Sequence, residues 1–224
     1  MKKFSILVLI NIIFLELKTQ EILFPVNPNN QNYLSGNLGE LRGSHFHMGI
    51  DIKTFGRINE PIYAADDGFV ERIFISGTGY GKAIYLKHNN GTKTVYAHLN
   101  KFNSELDKYS TNYQYRNKRF KVNLYPGSRF FYKKGDLIGY SGNSGSSGGP
   151  HLHFELRDSL DNVYDPLRYG FKEIKDNRNP IINKISLKTL NIDSRINNGF
   201  GLKKIDLSKS INQQKNYFIQ AKGE

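Results

Sequence analysis

The stretch KAIYLKHNNGTKTVYAHL, residues 82–99, leaves the chain little freedom of fold. Two runs of period-two alternation flank Asn90-Gly91, and Asn-Gly between alternating runs is the strongest short hairpin signal. One hairpin cannot bury its apolar face alone, so more strands must cover it. The chain offers them. PIYAA and FVERIFI lie on either side of Asp66-Asp67-Gly68 and read as a second hairpin, KKGDLIGYSG resumes the strand-and-turn rhythm, and HLHFELR at 151–157 reads as a further strand. Aromatic residues make up 13% of the chain, all Tyr or Phe, which favours strands over helices. The expected class is mainly β: a compact antiparallel domain.

That domain is expected over residues 36–170, closing at Asp165-Pro166 near Tyr169. Residues 21–35 form an Asn- and Pro-rich lead-in. Residues 103–130 interrupt the strands with a polar stretch whose aromatics are off strand spacing, an insertion over the surface with room for a short helix. Residues 171–224 carry ISLKTLNI, GLKKIDLS and KNYFIQ, strands of an incomplete β-rich tail, since three short strands seldom stand alone. At the other end Lys2 and Lys3 precede FSILVLINIIFL, an apolar run too short for an ordinary membrane-spanning helix. A basic stretch before such a run reads as a secretory signal over residues 1–20. The expectation is an exported protein of the periplasm or cell envelope, with no transmembrane segment once the signal is removed.

The absence of cysteine excludes disulfides, thiolate metal sites and a cysteine nucleophile. A net charge of +12 raises the question of nucleic acid. However, the Lys and Arg residues are spread along the chain without a recognition motif, so no nucleic acid partner is expected. Anionic envelope polymers or membrane surfaces would suit the charge equally well. The run GNSGSSGG has no Lys and precedes a strand, so it is not a phosphate loop. Its glycines suit close approach of a peptide backbone.

All six histidines lie between positions 45 and 153. His45, His47 and Asp51 fall in HFHMGID. His88 and His98 sit on the two arms of the hairpin, where His88 is assigned to structure. His151 and His153 form HLH. In a strand, residues two apart share a face, so His151, His153 and Glu155 point one way while Leu152, Phe154 and Leu156 pack inward. By the same alternation Tyr96 and His98 share a face. Two imidazoles on one face can both ligate a metal, or one can ligate while the other transfers a proton. Gly49 argues for a bent turn in which His47 and Asp51 converge on one ion. Two imidazoles and a carboxylate serve zinc well, with the fourth position open.

Taken together, HMGID, AADDGFV, GYGKAIYLKHNNGTKTVYAHL, KKGDLIGYSGNSGSSGGPHLHFELR and the closing DP resemble the lysostaphin-type zinc metallopeptidases in order, spacing and content over roughly residues 36–168. The resemblance implies the duplicated-hybrid-motif β fold with a substrate groove across the sheet. It implies one Zn²⁺ per chain, held by His47, Asp51 and His153, with His98 and His151 as catalytic residues beside the metal-activated water. His151 is the candidate base and His98 orients the water or stabilises the oxyanion, although the two roles are interchangeable on sequence. His45 is a group supporting a ligand, a groove residue or an ordinary loop histidine, and Tyr96 a possible substrate contact. The implied partners are stem or cross-link peptides of bacterial peptidoglycan, cut at D-alanyl–diaminopimelate links or glycine bridges, with oligomeric state open. A different class is a metal-binding but non-catalytic wall-binding module that regulates other wall hydrolases.

Overall fold

In the computed structural model the described residues are 22–175, 182, 184–206 and 221–222. The expected signal at 1–20 and the whole of KNYFIQ lie outside them. The chain divides into two units, Met1–Lys175 and Asp176–Glu224.

The first unit is built on strands β1 (Leu34–Gly36), β2 (Ile50–Lys53), β3 (Pro61–Tyr63), β4 (Gly68–Ile75), β5 (Lys82–His88), β6 (Lys93–Leu99) and β7 (Lys101–Phe102). Helix α1 (Ser104–Asn117) follows, then β8 (Val122–Leu124), β9 (Phe131–Tyr132), β10 (Leu137–Tyr140), β11 (His151–Arg157) and β12 (Val163–Tyr164). The large sheet runs β1-β2-β11-β6-β5-β4-β8, with β12 on β11 and β9 on β4; a small sheet runs β3-β10-β7. Every ladder in both is antiparallel.

The Asn-Gly hairpin forms as β5 and β6. His88 N–H donates to the Thr92 carbonyl at 2.9 Å, and Gly91 turns the chain with a φ of 86°. The second expected hairpin does not form. β3 pairs with β10 in the small sheet while β4 pairs with β5 in the large one. Asp66-Asp67-Gly68 is therefore a crossing between sheets, and Ala64 and Ala65 are buried at it.

One face of the large sheet packs against the small one. Ile50, Ile52, Ile73, Ile84, Leu86, Leu152 and Phe154 are buried there with Ile62, Ile138 and Phe102. Ile22, Phe24 and Val26, all in the expected lead-in, join the same core. The opposite face carries a smaller cluster, Ala83, Tyr85, Val95 and Ala97. In the insertion the Asn103 side chain caps α1 by accepting the Leu106 N–H, and Lys118 ends it in a left-handed conformation, φ 50°.

In the second unit β13 (Lys184–Lys188) pairs with β15 (Leu202–Asp206), and β14 (Arg195–Ile196) with β16 (Ala221–Lys222). Among its described residues, no helix is long and apolar enough to cross a membrane, and the same holds in the first unit.

Two outcomes test this packing. A Cβ on Gly49 would stand 2.3 Å from the Phe154 carbonyl oxygen, so the loop entering β2 presses onto β11. Gly49→Ala should cost about 2–3 kcal/mol in urea denaturation; an unchanged midpoint would refute the close approach. His88 is buried with Nδ1–H donating to the Asp67 carbonyl and Nε2 2.8 Å from Thr94 Oγ1. Burial lowers its pKa below 6.5 despite that backbone bond. The unfolded chain therefore takes up the proton first, and stability should be full above 6.5 and fall as pH drops through the lower folded value. His88→Gln should flatten the stability profile between about pH 7 and 5.

Candidate metal centre

Cross-strand register decides which side chains meet. Asp51 on β2 stands opposite His153 on β11, and His153 opposite Ala97 on β6, all on the face away from the main core. His47 comes from the loop before β2, held by its N–H to the Glu40 carbonyl and by the Gly39 N–H to its own carbonyl, each 2.8 Å. The strand alternation read for HLHFELR is the one observed: Leu152, Phe154 and Leu156 face the core.

His47, Asp51 and His153 converge. His47 Nε2 lies 2.9 Å from both Asp51 Oδ1 and His153 Nδ1, and the last two are 3.0 Å apart. All three residues are buried. Outer hydrogen bonds set the tautomers. His47 Nδ1–H donates to the Asn37 carbonyl and His153 Nε2–H to Glu155 Oε1, each at 2.8 Å. The inward nitrogens of the neutral rings then carry lone pairs and no hydrogen. Three acceptor atoms about 3 Å apart repel unless a cation lies among them. Two neutral imidazole nitrogens, one carboxylate oxygen and outer bonds that fix each ring make a donor set that fits Zn²⁺.

The electrostatics point the same way. Burial opposes ionisation of Asp51, but the His151, His153 and His47 rings around it outweigh it and hold the carboxyl far below its usual range. Burial also works against a charge on His153, and the Asp51 and Glu155 carboxylates outweigh it and raise its pKa. That negative field favours any cation at the inner nitrogen, proton or metal.

Four supporting side chains, Glu155, Tyr80, Arg157 and Arg42, carried no assigned role in the sequence reading. Glu155, fully buried, receives His153 Nε2–H, the Tyr80 hydroxyl at 2.5 Å and Arg157 Nε at 2.6 Å. Its place on the face of His153 was legible from alternation; its partners were not. Arg42 Nη2 donates to Asp51 Oδ2 at 3.0 Å and pairs with Glu40 at 3.1 Å, which leaves Oδ1 for the imidazoles. Gly36 makes room for this, since a Cβ there would stand 2.4 Å from Arg42 Nη2 and 2.5 Å from Asp51 Oδ2.

His98 and His151 lie side by side, ring centroids 4.9 Å apart. His98 Nδ1–H donates to the Ser144 carbonyl and His151 Nδ1–H to the Gly149 carbonyl, both at 2.8 Å, so each leaves Nε2 as its free acceptor. His151 Nε2 is 3.4 Å from Asp51 Oδ1. Burial, with the neighbouring His151 and His153, lowers the His98 pKa to about 4 against the opposing pull of the Ser144 carbonyl. The ring is neutral near neutral pH.

Tyr96 is not at the centre, which corrects the shared face expected for it and His98. β6 carries an extra residue where Tyr96–Leu99 faces Ile84–Lys82, and His98 there takes a φ of 59°. The bulge turns His98 onto the side of His153. Tyr96 points the other way, fully buried against Phe154, with its hydroxyl receiving the Ala65 N–H at 2.8 Å. His45 is exposed on the rim, Nδ1 3.3 Å from Ser44 Oγ, with no bond to the three clustered side chains among the described residues.

The cluster opens on a cleft of about 390 Å³, lined also by Arg42, His45, Met48, Tyr80 and residues 146–148. The Gly/Ser loop is tied down: Ser146 N–H donates to the Gly79 carbonyl at 2.8 Å and Gly79 N–H to Ser146 Oγ at 3.0 Å. If Glu155 sets the His153 ring, Glu155→Gln should weaken Zn²⁺ affinity about 10- to 100-fold in chelator competition. Unchanged affinity in the folded variant would remove Glu155 from the centre.

Residues 45–111 match the family model described as Peptidase family M23. A protein named an uncharacterized metalloprotease from Haemophilus influenzae is 31% identical over 132 residues, 59% of this chain and 22% of the relative. The DD-carboxypeptidase/endopeptidase Mpg of Neisseria meningitidis is 32% identical over 111 residues, 50% of this chain and 20% of the relative. The chain thus spans about a fifth of the length of these curated relatives. Among solved structures, the catalytic domain of lysostaphin from Staphylococcus simulans is 26% identical with a TM-score of 0.45, covering 61% of this chain and 90% of that one. The matched region runs through His47, Asp51 and His98, and over it the chain is similar to peptidase family M23.

Proposed function

We propose that the chain is a zinc-dependent endopeptidase that hydrolyses peptide cross-links of bacterial peptidoglycan, acting after export to the periplasm or cell envelope. The observation that carries this reading is the meeting of two kinds of histidine at one cleft. His47 and His153 join Asp51 as a buried donor triangle, while His98 and His151 keep free acceptor nitrogens beside it. The peptidase relatives named above support the reaction class, and the peptide-cutting activity in their names suggests the substrate.

His47 through Nε2, Asp51 through Oδ1 and His153 through Nδ1 would hold one Zn²⁺. When bound, that ion supplies a Lewis acid that acidifies water and polarises a carbonyl. His151 accepts the water's proton at Nε2 and returns it to the leaving amine. His98, unprotonated near neutral pH and donating through Nδ1 to Ser144, has only an acceptor to offer at Nε2. It therefore orients the water rather than stabilising the oxyanion. Arg42 keeps the outer oxygen of Asp51 occupied, and Glu155 keeps the His153 ring in its tautomer.

The test is release of soluble muropeptides from purified sacculi, with zinc measured on the same sample. Wild type should release fragments and carry about one zinc per chain. His151→Ala should keep the zinc and lose about 10²–10⁴-fold in rate. The fragment masses then name the bond, a D-alanyl–diaminopimelate link or a glycine bridge. Bound zinc without cleavage in wild type would sink the enzyme reading in favour of a wall-binding regulatory module.

A further inference from the structure

The charge of the chain is less evenly spread than expected. From Lys108 to Lys134 there are eight Lys or Arg residues and no Asp or Glu, so this segment equals two thirds of the net +12. The densest part is the tip where α1 ends and turns toward β8. Within nine residues it carries Arg116, Lys118, Arg119 and Lys121 with Tyr113, Tyr115 and Phe120, all exposed. Tyr115 and Phe120 are 80% and 66% exposed, high for such large rings. Among the described residues no carboxylate pairs with any of the four cations. The helix C-terminus accounts for Arg116 and Lys118, which answer its partial negative charge. It does not account for Arg119, Lys121 or the rings.

The tip is also placed beside the cleft. The Phe120 ring edge lies against Gly77, 3.9 Å from where a Cβ on that residue would stand. Two residues on, Gly79 and Tyr80 line the cleft. The Gln114 side chain donates to the Phe120 carbonyl at 2.5 Å and so ties the turn back onto the helix.

We infer that the Tyr113–Lys121 tip is a docking surface for the polymer to which a cleft-bound peptide belongs, an acidic, sugar-bearing strand. This rests on the peptidoglycan reading above and deepens it. The four cations meet carboxylates along the strand, and the flat faces of Tyr115 and Phe120 stack on sugar rings. The insertion then extends the substrate contact past the metal centre and adds binding that a short peptide does not receive.

The experiment uses the full chain carrying His151→Ala, so that binding is read without cleavage, in co-sedimentation with purified sacculi at low and high salt. Lys118→Glu/Arg119→Glu/Lys121→Glu should weaken capture at least about ten-fold and flatten its salt dependence. The neutral set Lys118→Gln/Arg119→Gln/Lys121→Gln should fall between, and Tyr115→Ala/Phe120→Ala should weaken capture at both salt levels. In a chain with His151 intact, the same tip changes should leave hydrolysis of a short soluble cross-linked peptide unaltered. Capture equal to wild type in both charge sets would overturn the inference, as would equal losses on sacculi and short peptide. Tighter binding to anionic phospholipid vesicles than to sacculi would overturn it in favour of a membrane surface. Tip-dependent capture by a chain whose wild type cuts nothing would leave the docking surface standing and sink the endopeptidase reading alone.

Discussion

The structure depends on the antiparallel register of β2, β11 and β6. Because Asp51 pairs with His153 and His153 with Ala97, a carboxylate, an imidazole and a methyl group stand in one row across the sheet. A one-residue slip of β11 would turn both its histidines into the core and bring Leu152 and Phe154 to the surface. The hydrophobic pattern that folds the sheet and the polar pattern that makes the site are thus the same alternation, and neither can shift without the other.

The buried charges show what this arrangement costs and how it is sustained. Glu155 and Asp51 lie on the sheet face where water is scarce. Glu155 is held by His153, Tyr80 and Arg157, and Asp51 by Arg42 at Oδ2, with the His47 and His153 rings against Oδ1. A buried carboxylate with one partner removed costs several kcal/mol, about 3–5. The supporting groups are therefore part of the fold's stability as well as of the site's geometry. Tyr80 belongs to both. Its hydroxyl serves Glu155, its ring lies 5.4 Å from that of His153, and its carbonyl receives the His98 N–H.

What was legible in the sequence follows from which interactions are local. The Asn-Gly turn fixes β5–β6, and the alternation of HLHFELR places His153 and Glu155 on one face, because both depend on neighbours a few residues away. The Asp66-Asp67-Gly68 step misleads for the same reason. Locally it is a good hairpin turn, but β3 finds its partner in β10, some seventy residues on. Arg42 and Tyr80 gave no signal because their partners, Asp51 and Glu155, are named only by the sheet. Nor does residue order show that Gly36 must be bare for Arg42 and Asp51 to meet.

His98 and Tyr96 are the sharpest instance. Strict period two assigns them one face, and the family resemblance assigns His98 to the metal centre, so both are expected there. The bulge separates them. One extra residue and a left-handed φ at His98 let β6 send Tyr96 into the core and His98 to the site from positions two apart. A left-handed non-glycine residue costs about 1–3 kcal/mol, and it persists only where its surroundings over-determine it. Here they do. The His98 backbone N–H is taken by Tyr80, its ring N–H by Ser144, and Ser144 in turn receives the Lys82 N–H and donates to the Leu99 carbonyl. The Gly/Ser loop therefore has a structural task of its own. It is the clamp that holds a strained histidine beside the metal donors, which is why the loop, the bulge and the centre occur together.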